Sequence, residues 1–226
     1  MTANADPRRT ARQPDPPKAP PSSRRGLWLS LAAAVLVLGA IALDTTVVHV
    51  GSEADIRQQA FSPDAYGQQE FPRIRDLVIS RAVDAQVLHA AISADQQAAI
   101  AEYGTPASTG AIFMINVTGV AGTPRAGVYP LQVEGLPEDL VIRVQTGPAI
   151  NGTDLRDAPG DIAFGDFRNQ IEFQDAGSGI NRAMAAEVLA PIDTANLTGR
   201  TLTVTGAFRL VNPTNWMITP VALEVQ

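Results

Sequence analysis

The chain has 226 residues, a formal charge of −6 at pH 7 and no cysteine. Without cysteine, the sequence excludes disulfides, thiolate zinc sites and a cysteine nucleophile. Twenty-one acidic and eleven basic residues follow residue 26, and a surface of that charge repels phosphate backbones, so we expect no nucleic-acid partner.

Residues 1–26 have the composition of a disordered, basic tail. Six prolines and six Lys or Arg residues lie among them, against two Asp, and they show no apolar periodicity. Because the cationic flank of an apolar segment stays on the cytoplasmic side of a membrane, we expect this tail in the cytoplasm.

An uncharged apolar run extends from Leu27 to Leu43 and ends before Asp44. As a helix it spans roughly 26 Å, slightly less than a ~30 Å hydrocarbon core, and the mild residues that follow can add a turn. We predict a single-pass transmembrane signal-anchor helix over residues 27–44 in the inner membrane. The N-terminus then lies in the cytoplasm and the C-terminal domain in the periplasm.

Two alternatives stay open for this run. A signal peptidase could cleave after the small-x-small sequence Ala40-Ile41-Ala42, and residues 23–29 resemble a twin-arginine export signal. The run could also be a buried helix of a soluble protein, although a core helix should show one polar face and this run has none.

Residues 45–110 are predicted to form a stalk and a helical arm. A helix is expected over residues 71–92, with Pro72 in its first turn. A second helix is expected between Ser93, as an N-cap with Gln96 three residues later, and Gly104, which ends it. The first helix must bury an apolar stripe that consists of Ile74, Leu77, Val78, Arg81, Ala82, Ala85, Leu88 and Ile92.

The apolar period changes to that of β-strands after residue 110. Strands are predicted over residues 111–120, 127–134, 140–146, 201–211 and 216–225. A helical insertion is expected near residues 166–190, between the third and fourth strands. This order predicts an α+β chain with an OB-like, five-stranded antiparallel barrel over residues 111–226. An antiparallel sandwich with a helical cover is the alternative.

A polar loop after the third strand holds the candidate functional residues. Its planar amides, carboxylates and guanidinium groups offer paired donors and acceptors that suit the hydroxyl groups of a sugar or polyol. The candidate ligand-binding residues are Arg156, Asp157, Asn169, Gln170 and Asn181. The alternative is structural, because turns require Gly, Asn and Asp, and Arg156 can pair with Asp157 to hold the loop.

No pattern in the sequence predicts catalysis or a metal site. Asp154, Asp157 and Asp161 lack the alternating spacing of a calcium loop, and nothing indicates the separation that a glycosidase carboxylate pair needs. His49 and His89 are far apart and lack the context of a catalytic triad. We therefore expect no enzymatic activity, no cofactor and no metal.

Five aromatic residues have two interpretations. They could form a stacking platform for bases or sugars, as in some OB barrels, or they could belong to the core, which we favour. They are Phe164, Phe167, Phe173, Phe208 and Trp216.

Two strings of residues carry a family resemblance. They are Gly147-Pro148-x-x-x-Gly152-Thr153-x-x-Arg156-Asp157 and Phe167-x-Asn169-Gln170. With them, residues 45–226 resemble a bacterial family of predicted periplasmic lipoproteins (domain of unknown function 2291). The resemblance implies an OB-like barrel and a structural role for the glycines, the proline and Thr153 of the first string.

The resemblance also implies a function. Members of this family are usually encoded beside sugar ABC transporters, so it implies an accessory role with such a transporter or its binding protein. The lipid-bearing cysteine of the family is replaced near residue 44 by Asp44-Thr45-Thr46, which makes the apolar helix the expected anchor. We expect a membrane-anchored, non-catalytic interaction protein of the periplasm or, alternatively, a module that binds a sugar or polyol.

Overall fold

The structure, a computed structural model, describes residues 24–44 and 61–226, which belong to two units, Met1–Gln59 and Ala60–Gln226. In the first unit, helix α1 spans Arg24–Asp44, and its described side chains are exposed. Within the described residues, no helix is both long and apolar enough to cross a membrane. The predicted helix is therefore present, but its transmembrane character is unsupported. The tail up to residue 23 and the stalk residues 45–60 lie outside the described residues.

In the second unit, two helices and a short strand replace the single helix that we predicted over residues 71–92. Helix α2 spans Pro63–Arg81, strand β1 spans Val83–Asp84 and helix α3 spans Ala85–Ala94. Ser62 caps α2 and Pro63 occupies its first turn, so Pro72 lies inside the helix. The prediction was wrong because Val83 and Asp84 pair in parallel with Ile115 and Asn116, which interrupts the helix.

The next helix also begins later than predicted. Helix α4 spans Gln96–Tyr103, and its N-cap is Asp95, whose Oδ1 accepts hydrogen bonds from the backbone N–H groups of Gln97 and Ala98. Ser93 lies inside α3, so the prediction of a Ser93 cap was wrong. Gly104 ends α4 as predicted and begins strand β2, Gly104–Pro106.

Five strands close into the predicted barrel. They are β3 (Ala111–Ala121), β4 (Val128–Gln132), β5 (Val141–Gln145), β6 (Thr201–Leu210) and β7 (Asn215–Val225). The order around the barrel is β3-β4-β5-β7-β6, and β6 pairs again with β3. Neighbouring barrel strands are antiparallel except β5 and β7, which run parallel. The prediction of an antiparallel barrel was therefore wrong at this one pair, because the insertion between β5 and β6 lets β7 close the barrel beside β5 in the same direction.

The long strand β3 has partners along both of its edges. On one side it pairs with β6 over its residues 111–120. On the other side it pairs in turn with β2, β1 and β4, each over two or three residues. These short segments protect the edge of β3. Since β1 follows α2 and β2 follows α4, their pairing with β3 also brings these helices to the barrel.

The core joins the helices to the barrel. The Trp216 ring stacks on Phe208 with centroids 4.9 Å apart, and Phe208 stacks on Phe113 at 5.7 Å. These three side chains are fully buried. Five members of the predicted apolar stripe are buried in the same core, namely Ile74, Val78, Ala85, Leu88 and Ile92. The stripe is therefore buried as predicted, although Arg81 is exposed.

The insertion between β5 and β6 contains two helices and two irregular turns. Helix α5 spans Asp154–Asp157, a 3₁₀ turn covers Phe164–Asp166, helix α6 spans Gln170–Met184, and a π-helical turn covers Ala185–Leu189. Helices α2 and α6 touch through glycine. A Cβ at Gly179 would lie 1.9 Å from the carbonyl oxygen of Pro63, and one at Gly67 would lie 2.1 Å from that of Gly179.

The helix contact predicts a large effect of one methyl group. Gly179→Ala is expected to lower the free energy of unfolding by about 2–3 kcal/mol, because backbone atoms must move apart to admit the Cβ. Urea unfolding of the full-length protein measures this change. Gly165→Ala is the matched control, since no atom lies within 4 Å of its Cβ position. Equal stability of the two variants would contradict the close contact.

Candidate functional site

The polar loop contributes to a charge network at the edge of the barrel. The Arg156 Nε lies 2.8 Å from Asp157 Oδ1, and the Arg209 Nη2 lies 2.5 Å from Asp157 Oδ2. Arg209 belongs to β6, and its Nε lies 3.4 Å from Asp154 Oδ1. The network therefore joins α5 to a strand of the barrel.

Arg156 is buried and joins α5 to α6. Its side chain is 6% exposed. The Nη1 group donates a hydrogen bond to the carbonyl oxygen of Phe173 at 2.8 Å, and the guanidinium carbon lies 3.6 Å from the centroid of the Phe173 ring. These two hydrogen bonds and the cation–π contact hold the Arg156 side chain in place, so its role in the network is structural.

Asp157 is the best-satisfied carboxylate of the network. Besides the two guanidinium groups, its Oδ2 accepts a hydrogen bond from the Thr153 hydroxyl at 2.8 Å. Arg209 also donates from Nη1 to the carbonyl oxygen of Thr109 at 2.8 Å. Asp157 thus connects the insertion to the barrel, and Arg209 connects the network to the loop before β3.

Asp154 lies beside this network and has weaker contacts. Its side chain is 13% exposed, and its distance to the Arg209 Nε exceeds the usual hydrogen-bond range of about 2.7–3.2 Å. Burial raises the pKa of the Asp154 carboxyl, the nearby charge of Asp157 raises it further, and the guanidinium and backbone N–H of Arg209 oppose the shift.

The other predicted ligand residues have different surroundings. Asn169 caps α6, because its Oδ1 accepts the backbone N–H of Glu172 at 2.9 Å. Asn181 is buried, and its Nδ2 donates to the carbonyl oxygen of Gly152 at 2.9 Å. Gln170 is exposed. Four of the five predicted residues thus bond within the protein, and their binding of a ligand stays a prediction.

The glycines of the family string make tight turns. Gly147 and Gly152 have φ angles of +93°, which L side chains rarely adopt. The backbone of Gly127 approaches so closely that a Cβ there would overlap the Gly147 carbonyl oxygen. These turns bring Thr153 and α5 to the charge network.

An open depression of about 550 Å³ lies over the network. Residues from five stretches of the chain line it, including Thr109, Asp154, Phe164, Gln170, Gln174 and Arg209. Sequence reasoning proposed Gln170 but missed Arg209 and Gln174. Arg209 carried only a weak signal, a charge within an otherwise uncharged strand, and nothing in its position pointed to a partner fifty-two residues earlier.

Two of the five aromatic residues lie in the core and three lie on the insertion, and a stacking role for these three stays a prediction. Phe208 and Trp216 belong to the core. Phe164, Phe167 and Phe173 form a chain of edge-to-face and tilted ring contacts on the insertion. Phe164 is 52% exposed beside the depression. Among the residues that the structure describes, no group of three or more His, Asp or Glu side chains is arranged to hold a metal ion.

Comparison with known proteins gives the family and the fold. The family described as "Predicted periplasmic lipoprotein (DUF2291)" matches residues 31–224. The chain belongs to this family. Membership confirms the predicted resemblance and indicates a periplasmic, membrane-associated location.

A solved structure supports the barrel of this family member. A crystal structure of an OB-fold protein from Thermotoga maritima aligns with a TM-score of 0.59 and 16% identity, covering 74% of this chain and 100% of that chain. At this identity the similarity shows the fold alone, which confirms the OB-like barrel. No curated protein matches the chain.

The charge network predicts that Asp157 matters more for stability than a surface carboxylate does. Asp157→Ala is expected to lower the free energy of unfolding by about 3 kcal/mol, because Arg156 loses its buried counter-ion. Asp161→Ala is the matched control. The Asp161 side chain is 60% exposed and pairs with Arg73, so its loss should cost less than about 1 kcal/mol. Urea unfolding of the two full-length variants at pH 7 measures these changes. Similar decreases in the free energy of unfolding would contradict the network.

Proposed function

We propose that this family member is a non-catalytic accessory protein of the periplasm that acts by binding another protein. The proposed partner is a sugar ABC transporter or its binding protein, as the family resemblance implies. The observation that carries the proposal is that the charged side chains of the polar cluster pair with one another. Asp157 forms ion pairs with both Arg156 and Arg209.

This pairing argues against a catalytic role for the cluster. A general acid or base must come within hydrogen-bond reach of a substrate and exchange a proton with it. Asp157 is instead surrounded by two guanidinium groups and a hydroxyl, and Arg156 is covered by Phe173. These contacts hold the insertion in place, and they favour a scaffold over a reactive centre.

We further propose that α1 attaches the protein to the inner membrane as a single-pass anchor, with its N-terminus in the cytoplasm. The sequence offers no cysteine for a lipid. The helix exposes large apolar side chains, among them Leu29, Leu36 and Leu38, and such a surface favours an apolar environment. The basic residues before α1 favour a cytoplasmic N-terminus.

Crosslinking in intact cells, followed by detergent extraction of the membrane fraction, tests this proposal. The full-length protein is expected in the membrane fraction, linked to the permease or the sugar-binding protein of a transporter. A matched sample crosslinked after detergent dispersal reports accidental contacts. Recovery of the intact protein without detergent would contradict the attachment, and absence of any crosslinked transport protein would contradict the accessory role.

A second candidate function is the binding of a sugar or polyol, and the open depression favours it. Gln170 lies on its wall with an exposed side chain, and the half-exposed ring of Phe164 lines the same depression. Amide groups beside an apolar ring suit a molecule with hydroxyl groups and a less polar face.

Thermal unfolding of the full-length protein with ribose, galactose and myo-inositol tests the second candidate. At least one of these compounds is expected to raise the melting temperature in a concentration-dependent manner, because a ligand that binds only the folded state stabilises it. Trimethylamine N-oxide at equal osmolality measures the non-specific effect of an osmolyte, because it is neither a sugar nor a polyol. A rise no larger than that of trimethylamine N-oxide for all three compounds would reject this function.

A further inference from the structure

We infer that Asp154 is the central acceptor of a binding subsite for a neutral, polyhydroxylated ligand in the depression over the charge network. The inference rests on the second candidate function above. It assigns the binding to Asp154, Gln174 and Phe164, and it leaves Arg156 and Asp157 as supporting groups.

The first argument is the contrast between the two carboxylates of α5. Asp157 is held by two guanidinium groups and a hydroxyl at 2.5–2.8 Å. Asp154 is about equally buried, yet its ion pair with Arg209 is long, at 3.4 Å. A carboxylate withdrawn from water needs hydrogen-bond donors. Asp154 also accepts the backbone N–H of Arg209, and its two oxygens have room for further donors, which a molecule in the depression that it lines can supply.

The second argument is charge, which selects the class of ligand. Two carboxylates and two guanidinium groups line the depression, namely those of Asp154, Asp157, Arg156 and Arg209. A cationic ligand would meet both guanidinium groups and an anionic ligand would meet both carboxylates. A neutral molecule with hydroxyl donors can satisfy Asp154 without either conflict.

The third argument is the remainder of the wall. Gln170 and Gln174 are four residues apart on α6, so both side chains lie on one face of the helix. In the part of the chain that the structure describes, neither side-chain amide has a hydrogen-bond partner, and both residues line the depression. Phe164 adds an exposed apolar surface. Acceptors, donors and an apolar side together match a ring-shaped polyol.

The pKa of Asp154 helps to choose the test variant. Because burial raises this pKa, the folded protein binds the proton more tightly than the unfolded chain does. The ionised carboxylate therefore lowers stability at neutral pH, and this cost decreases as the pH falls below the raised pKa and is gone below the ordinary pKa of the unfolded chain. Asp154→Asn removes the charge at similar size, so it is expected to fold with unchanged or higher stability.

The experiment measures the melting temperature of the full-length protein with ribose, galactose and myo-inositol, and with putrescine and inorganic phosphate as charged probes. The polyol that stabilises the wild type is expected to bind Asp154→Asn at least about tenfold more weakly, which corresponds to about 1.4 kcal/mol. Asp139→Asn is the matched control, because Asp139 is exposed and lies outside the lining of the depression. It should retain the wild-type response.

Two further variants protect the test from a folding defect. Phe164→Ala and Gln174→Ala alter exposed side chains, and each is expected to weaken the same response severalfold.

Three results would contradict the subsite or the class of its ligand. If Asp154→Asn, Phe164→Ala and Gln174→Ala all retain the polyol response, the subsite is wrong although polyol binding stands. If no polyol stabilises the wild type, both proposals fall. A response to putrescine or phosphate, without one to a polyol, would overturn the neutral ligand.

Discussion

The structure of the second unit depends on one carboxylate that lies between two guanidinium groups. Asp157 pairs with Arg156 of α5 and with Arg209 of β6, and each arginine contacts a further segment through a backbone carbonyl, at Phe173 and at Thr109. The inserted helices are thereby joined to the barrel by charge. Because guanidinium groups withdrawn from water require a partner, the network fixes the position of the insertion. The depression and its weaker carboxylate are consequences of that position.

The barrel supplies the rigid side of this arrangement. Strand β3 shares one edge among β2, β1 and β4, so most of its residues have a partner on the side from which the preceding helices approach the core. Helix α2 then contacts α6 at Gly67 and Gly179, where two backbones touch. The insertion is therefore fixed from both sides, by glycine contact with α2 and by ion pairs with β6.

Much of this fold followed from local patterns, and the misses have local explanations. The five strands were predictable because alternation and turn residues mark strands irrespective of their partners. The apolar stripe was predictable although it spans two helices, because α2 and α3 both bury their apolar faces in the same core. The break at Val83 was missed because a pairing with Ile115, thirty-two residues later, outweighs helical periodicity there. The N-cap was missed because Ser93 and Asp95 both suit that position, and the backbone begins its turn at Asp95.

The sequence by itself determined the strand order, the buried stripe, the family and the presence of an apolar N-terminal helix, since each depends on composition or on short-range spacing. Only the tertiary structure decided the roles within the polar loop. Asp154 and Asp157 occupy one turn of α5 and look alike in sequence, yet Arg209 bonds closely to Asp157 and lies further from Asp154. Arg209 belongs to a strand fifty-two residues beyond Asp157. Which carboxylate it satisfies depends on the distance between two packed elements, and the spacing of residues along the chain does not encode that distance.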